Sequence, residues 1–254
     1  MSFSPFKSLS VAATVLSLAT GAQALDLNSM TEAERSAFGE EVRSYLLQNP
    51  EVILEAIDLL EQQQQVAEAQ RDDQLVQENL AELVDDGYSW VGGNPDGDIT
   101  LVEFTDYRCP YCRRAMPEVA KLLAQDGNIR FVIKEFPILG EASLISSRFA
   151  VAVKQLEGPE AYKEVHDALF DLPGEPNDIT LGRLAEGFGL DAEAILARMN
   201  EEVVTDELRR TRALAQRMAI SGTPSFVLGD ELLRGFLPAD QMQLMAIAQR
   251  DQRG

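Results

Sequence analysis

The feature that most constrains this chain is the stretch from Ile99 to Phe136, where an apolar run meets a helical pattern at a pair of cysteines. Ile99 to Thr105 is apolar nearly throughout, which predicts a strand buried on both faces. Cys109-Pro110-Tyr111-Cys112 then opens a helix that runs to about Gln125, with Met116, Val119, Leu122 and Leu123 facing inward. Asp126-Gly127-Asn128 turns the chain, and Ile129 to Phe136 reads as a second strand. Strand, helix and strand in that order form a βαβ unit, so the two strands are parallel and the fold class is α/β.

The sequence holds 2 cysteines, both in this C-x-x-C. Linking Cys109 to Cys112 closes a very short loop and removes little unfolded-state entropy, which disfavours a passive clip. A dithiol that opens and closes needs one sulfur available as thiolate. Cys109 sits at the strand-to-helix junction, where unpaired N–H groups and the positive end of the helix dipole favour that form. Cys112, one turn inside, is shielded and suited to resolving a mixed disulfide. Pro110 fits the first turn without losing a hydrogen bond. A C-x-x-C in a βαβ unit is therefore read as a redox centre.

Metal readings are weaker. Structural zinc needs four ligands, and the chain offers two cysteines and a single histidine, His166, far along the sequence. No metal site or cofactor is expected, although two soft thiolates also suit Cu(I). His166 reads as a helix-face residue rather than a catalytic one. Glu103 is more informative, because it interrupts the apolar strand between Val102 and Phe104, a costly place for a charge. Either it lies on an edge strand and reaches water, or it is a partly buried carboxyl with a raised pKa that relays a proton to or from Cys112.

Residues 1–24 read as a leader: Lys7 supplies the positive start, Leu9 to Thr20 the apolar run, and Ala22-Gln23-Ala24 the cleavage site. That run is too short to span a bilayer. The expectation is a secreted chain of roughly 230 residues in a bacterial periplasm, where disulfide chemistry is permitted. A formal net charge of -20 makes nucleic acid and anionic lipid poor partners.

Upstream of the βαβ unit, Thr31-Glu32-Ala33-Glu34 reads as a helix cap, and Phe38, Val42, Tyr45 and Leu46 recur at helical spacing. Asn49-Pro50-Glu51 ends that helix and starts a second, without Gly or Pro, that continues to Asp86. Val52, Ile53, Ala56, Ile57, Leu59 and Leu60 form a broad apolar stripe. The middle, Glu61 to Gln74, is nearly all polar or Ala, and Leu75, Val76, Leu80, Leu83 and Val84 restore the stripe. Residues 25–86 are read as an arm whose apolar end packs against copies of itself, with a helix folded back on the main domain as the alternative. The turn cluster Gly92 to Asp98 marks the boundary, and Tyr88 to Val91 suggests an edge strand. Helical patterns fill residues 141–219, about 141–157, 159–170, 180–187, 191–199 and 201–219. Strand signals return at Pro224 to Leu228 and Leu232 to Arg234, before a last helix from Pro238. The domain expected over 87–140 and 220–254 is thus interrupted by a helical insertion.

Glu103 to Cys112, the insertion and Ser221-Gly222-Thr223-Pro224-Ser225-Phe226 together resemble the DsbA-type thioredoxin-fold oxidoreductases, over roughly residues 88–254. The resemblance implies a thioredoxin fold, with Cys109 as the attacking cysteine, Cys112 as the resolving one and Glu103 as the buried acid. It also implies that Pro224 is a cis-proline facing the disulfide and that Thr223 offers its backbone to a client strand, with Pro110 and Tyr111 on the client-facing side. Implied partners are cysteine-containing secreted proteins and a membrane redox partner. Two features depart from the family pattern. Tyr111 stands where DsbA usually carries His, and a neutral phenol cannot stabilise a thiolate as an imidazolium does, so a less oxidising disulfide is expected. The N-terminal extension is similar to that of the ScsC-like branch, whose helices trimerise and whose members include isomerases. A homo-oligomeric isomerase, a trimer by preference, is therefore expected. A monomeric oxidase of DsbA type and a holdase or Cu(I) carrier are the alternatives.

Overall fold

A computed structural model describes residues 29–253. The leader expected over residues 1–24 lies outside the described residues. No described helix is long and apolar enough to cross a membrane. The chain forms two compact units, one ending at Gln62 and the other beginning at Gln63.

In the first unit, α1 (Glu32–Gln48) begins at a reciprocal cap. The Thr31 hydroxyl accepts from the Glu34 N–H at 3.3 Å, and the Glu34 carboxylate accepts from the Thr31 N–H at 2.8 Å. Asn49 and Pro50 separate α1 from α2 (Glu51–Val84). No residue of α1 is buried, and Phe38, Val42, Tyr45, Ile53, Leu54, Ile57 and Leu60 are all exposed.

The second unit takes in the rest of α2, and here the helix packs. Val76 and Leu83 are fully buried and Asp72 pairs with Arg234, whereas Leu80, grouped with them by spacing, stays exposed. The folded-back reading of the long helix therefore holds for its second half. Residues 63–84 lie on the main domain, and the apolar stripe before them stays uncovered. Truncating a buried Leu83 to alanine would cost about 2–5 kcal/mol.

The sheet has five strands in the order β1 (Trp90–Gly93), β3 (Ile129–Glu135), β2 (Ile99–Thr105), β4 (Ser225–Leu228) and β5 (Glu231–Arg234). β2 and β3 are parallel, joined by α3 (Pro110–Asp126), and the remaining pairs are antiparallel. Between β3 and β4 run α4 (Glu141–Glu157), α5 (Pro159–Phe170), α6 (Asp178–Gly187), α7 (Ala192–Arg198) and α8 (Glu202–Arg217), and α9 (Ala239–Arg253) follows β5. α6 starts two residues before the pattern suggests, because the Asn177 side chain caps it by accepting from the N–H groups of Ile179 and Thr180.

Strand alternation divides the core into two layers. Leu101, Phe131, Ile133 and Phe226 join one layer with Cys112 and Val119 of α3 and Val165 of α5. Val102, Phe104, Val132 and Val227 join the other with Val76 and Leu83 of α2 and Leu214 of α8. Lys134 points into this second layer, wholly buried, and donates to the Glu82 carbonyl at 2.8 Å and the Asp86 carboxylate at 2.5 Å.

Candidate active site

The segment between β2 and α3 is shaped by one carboxylate. Asp106, fully buried, accepts from the N–H of Arg108 at 2.8 Å with one oxygen. Its other oxygen accepts from the N–H groups of Ile138 and Leu139 at 2.8 and 3.1 Å. Its carbonyl accepts from the Cys109 N–H at 3.0 Å. This turn delivers Cys109 to the N-cap of α3 in an extended conformation, with Pro110 as the first helical residue.

Both cysteines are free thiols. Cys109 is 5% exposed, and its Sγ donates to the Thr223 carbonyl at 3.1 Å. The Thr223–Pro224 peptide bond is cis, as the resemblance implies. Cys112 is fully buried beneath Cys109, and burial pushes its thiol well above the ordinary range, helped by the charge of Glu103. Tyr111, between them in sequence, is half exposed, and the Arg114 guanidinium lies 4.3 Å from its ring centroid. Pro110 is exposed beside it.

Glu103 sits on β2, the central strand of the sheet, which excludes the edge-strand reading. It is 4% exposed, and burial raises its carboxyl to about 8; the Thr105 hydroxyl opposes the rise and the Glu135 charge adds to it. Thr105, two residues on and on the same strand face, is fully buried; its hydroxyl faces the Glu103 carboxyl and the Cys112 thiol but makes no hydrogen bond of ordinary length to either. A cavity of about 300 Å³ reaches Glu103 from the side of α3 and α5, lined by Met116, Leu123, Phe131, Lys163 and His166 among others.

The sequence reading missed a second buried cluster behind the cysteine turn. The Tyr107 and Tyr162 hydroxyls donate to one Glu135 oxygen at 2.5 and 2.6 Å, and His166 Nδ1 is 2.8 Å from the Tyr107 hydroxyl. His166 is thus on a helix face, but on the buried one, at 4% exposure. Burial works to raise the Glu135 carboxyl, yet the facing His166 and the two hydroxyls hold it below its ordinary range. The signal that singled out Glu103 does not mark Glu135, which follows Lys134 at the end of its strand and reads as the polar close of the run Phe131-Val132-Ile133.

A buried dithiol at a strand–helix junction, set against a cis-proline loop and backed by a buried acid, defines a thioredoxin-fold redox domain. The chain belongs to the DSBA-like thioredoxin domain family, whose model matches residues 100–248. Residues 34–67 match the copper resistance protein ScsC N-terminal domain. A thioredoxin-like oxidoreductase from Silicibacter pomeroyi is 41% identical, with a TM-score of 0.62 over 68% of this chain and 98% of that one. Proteus mirabilis ScsC, in a transitional conformation, is 27% identical, with a TM-score of 0.63 over 88% of this chain and 100% of that one. Disulfide bond formation protein D of Bacillus subtilis is 24% identical over 59% of this chain and 72% of its own length. The chain also matches the Na(+)/H(+) antiporter NhaA 3 of Salinispora tropica, 29% identical over 56% of this chain, but spans only 22% of that protein's length.

Proposed function

We propose that this protein is a periplasmic thiol–disulfide oxidoreductase acting on cysteines of secreted proteins, with disulfide isomerase activity. The observation that carries the reading is the environment of the two sulfurs. Cys109 lies at a helix N-cap against the cis Thr223–Pro224 loop, and Cys112 is buried beside Glu103.

In the reductive direction the Cys109 thiolate attacks a client disulfide, forming a Cys109–client bond while the second client sulfur leaves and takes a proton. The Cys112 thiolate then attacks Cys109, releasing the client thiol and leaving the enzyme oxidised by two electrons. Glu103, neutral at rest, gives its proton to Cys112 when Cys112 is the leaving group in the oxidative direction; in the reductive direction it first sheds that proton to water and then takes the one from Cys112 as that thiolate forms. The cavity beside Glu103 supports this role by giving the proton a route to water. In isomerisation a free client thiolate displaces Cys109 from the mixed disulfide, so bonds are exchanged without net redox change.

The Thr223 carbonyl, which accepts from Cys109 in the free protein, becomes available to the backbone of an extended client once the sulfur is engaged. Pro110 and Tyr111 form the adjoining exposed surface. Oligomerisation, a trimer by preference, runs through the uncovered apolar stripe of residues 32–60, which the match to the ScsC N-terminal domain supports. Several active sites in one assembly then hold a client while its bonds are reshuffled. A membrane redox partner resets the dithiol.

Insulin reduction and refolding of scrambled ribonuclease, run with wild type and Cys109→Ser, test the reading. Wild type is expected to be active in both and the variant in neither, and Cys112→Ser is expected to accumulate the mixed disulfide. Activity that survives Cys109→Ser sinks the exchange mechanism.

A further inference from the structure

The chain carries a formal net charge of -20, yet residues 107–117 hold three arginines, Arg108, Arg113 and Arg114, and no carboxylate. Two of the three are occupied. Arg108 donates to the Gly174 carbonyl at 3.1 Å and pairs with Glu175 at 3.3 Å. Arg113 stands 4.0 Å from Asp171. Arg114 is exposed and makes no ion pair among the described residues. Its guanidinium instead rests 4.3 Å from the Tyr111 ring centroid and 5.9 Å from that of Phe236.

This arrangement has a chemical consequence. Ring contacts use the face of a guanidinium and leave its N–H edge free to donate. They also restrict the side chain before any ligand arrives, which reduces the entropy lost on binding. A planar fork with free donors matches a carboxylate, which it binds through two parallel charge-assisted hydrogen bonds. Tyr111, which holds the fork, lies between the two cysteines, so a carboxylate gripped there belongs to a residue close to the reacting client sulfur. Elsewhere the acidic surface repels acidic segments, so this cation acts on the final approach rather than on distant encounter.

We infer that Arg114, held by Tyr111 and Phe236, selects client segments that carry an aspartate or glutamate side chain next to the reacting cysteine. This rests on the thiol-exchange reading given above and adds the class of client sequence.

The test uses short peptides with one cysteine, activated as the 2-pyridyl disulfide and flanked by aspartate, asparagine or lysine. The Cys109 thiolate of the reduced full-length protein attacks the peptide sulfur, and pyridine-2-thione leaves and is read by its absorbance. Each rate is divided by that of a small neutral thiol with the same peptide, which removes intrinsic differences in reactivity. At about 20 mM salt, the aspartate peptide is expected to react about three- to tenfold faster than the asparagine peptide, in the range of a single exposed to half-buried charge pair. The lysine peptide is expected to be slowest. The aspartate preference should collapse in Arg114→Gln, shrink at about 0.5 M salt, and persist in part in Arg114→Lys, which keeps the charge without the fork. Equal rates for aspartate and asparagine peptides in wild type, or a preference that survives Arg114→Gln, overturn the inference. A protein inert towards every peptide overturns the thiol-exchange reading, and this inference falls with it.

Discussion

Replacing Glu103 by glutamine isolates the proton that this buried carboxyl holds. Burial raises its pKa from 4.5 to about 8, with Thr105 and Lys163 opposing the rise and the Glu135 charge adding to it. The unfolded chain releases the same proton near the ordinary carboxylate value. Between about pH 4.5 and 8 the folded protein therefore binds one proton more than the unfolded one, and its stability falls as pH rises through that window. The slope approaches 1.4 kcal/mol per pH unit, to an order of magnitude, for one proton. Glutamine resembles the neutral acid and does not titrate, so the stability of Glu103→Gln minus that of wild type should grow along the same slope. From about pH 5 to about pH 7 the gap should widen by roughly 3 kcal/mol, levelling off above about pH 8. Any constant offset from exchanging a hydroxyl for an amide drops out of the slope. Urea unfolding of both reduced proteins at one fixed concentration, in steps of pH, measures the gap. A gap that stays flat across the window refutes the reasoning, because Glu103 would then titrate alike in the folded and unfolded chains.

Three further outcomes are expected. Lys134→Met leaves Asp86 buried without its cation and should destabilise the protein by about 3–5 kcal/mol in urea unfolding. The double variant Lys134→Met with Asp86→Leu should recover much of that loss. A chain beginning at Gln63 should scatter light as a monomer and still release pyridine-2-thione, while losing ribonuclease refolding; an assembly of unchanged mass would end the proposed role of the first unit.

How far each feature was legible in the sequence follows from the range of the interactions behind it. Ile99 to Thr105, the cap at Thr31 and the break at Gly158-Pro159 are set by residues within a few positions of one another, and the strand and helices lie where the patterns put them. The two cysteines are marked by their spacing, and Glu103 by a charge inside an apolar run. The cis bond before Pro224 is legible only through the family resemblance, since a proline alone reads as a turn. The contacts of Tyr107 with Glu135 and His166 join residues 28 and 59 positions apart, which periodicity cannot pair. The long helix shows the same limit: its composition marks an apolar stripe at each end, but not that Lys134 and Arg234 reach residues around one of them. Truncating the chain at Asp86, where composition changes, would therefore remove Val76, Leu83 and the buried carboxylate that pairs with Lys134.

Two buried carboxyls on adjoining parallel strands here meet opposite fates. Glu103 pairs in register with Ile133, and Glu135 with Thr105, so both acids lie on the sheet face that carries the cysteines. Burial pushes both towards the neutral form. At Glu135 the facing His166 and the hydroxyls of Tyr107 and Tyr162 reverse that push and fix the charge. Glu103 has the Thr105 hydroxyl against it, too little to reverse the effect of burial, and the charge fixed on Glu135 drives it further up. The cluster that ties the cysteine turn to α5 through Tyr107 therefore adds to the burial that keeps Glu103 protonated at neutral pH. Environments that push two acids apart in this way assign their roles. Glu135 is held as the anion that anchors the turn, and Glu103, kept neutral, is the acid suited to the proton exchange proposed for Cys112.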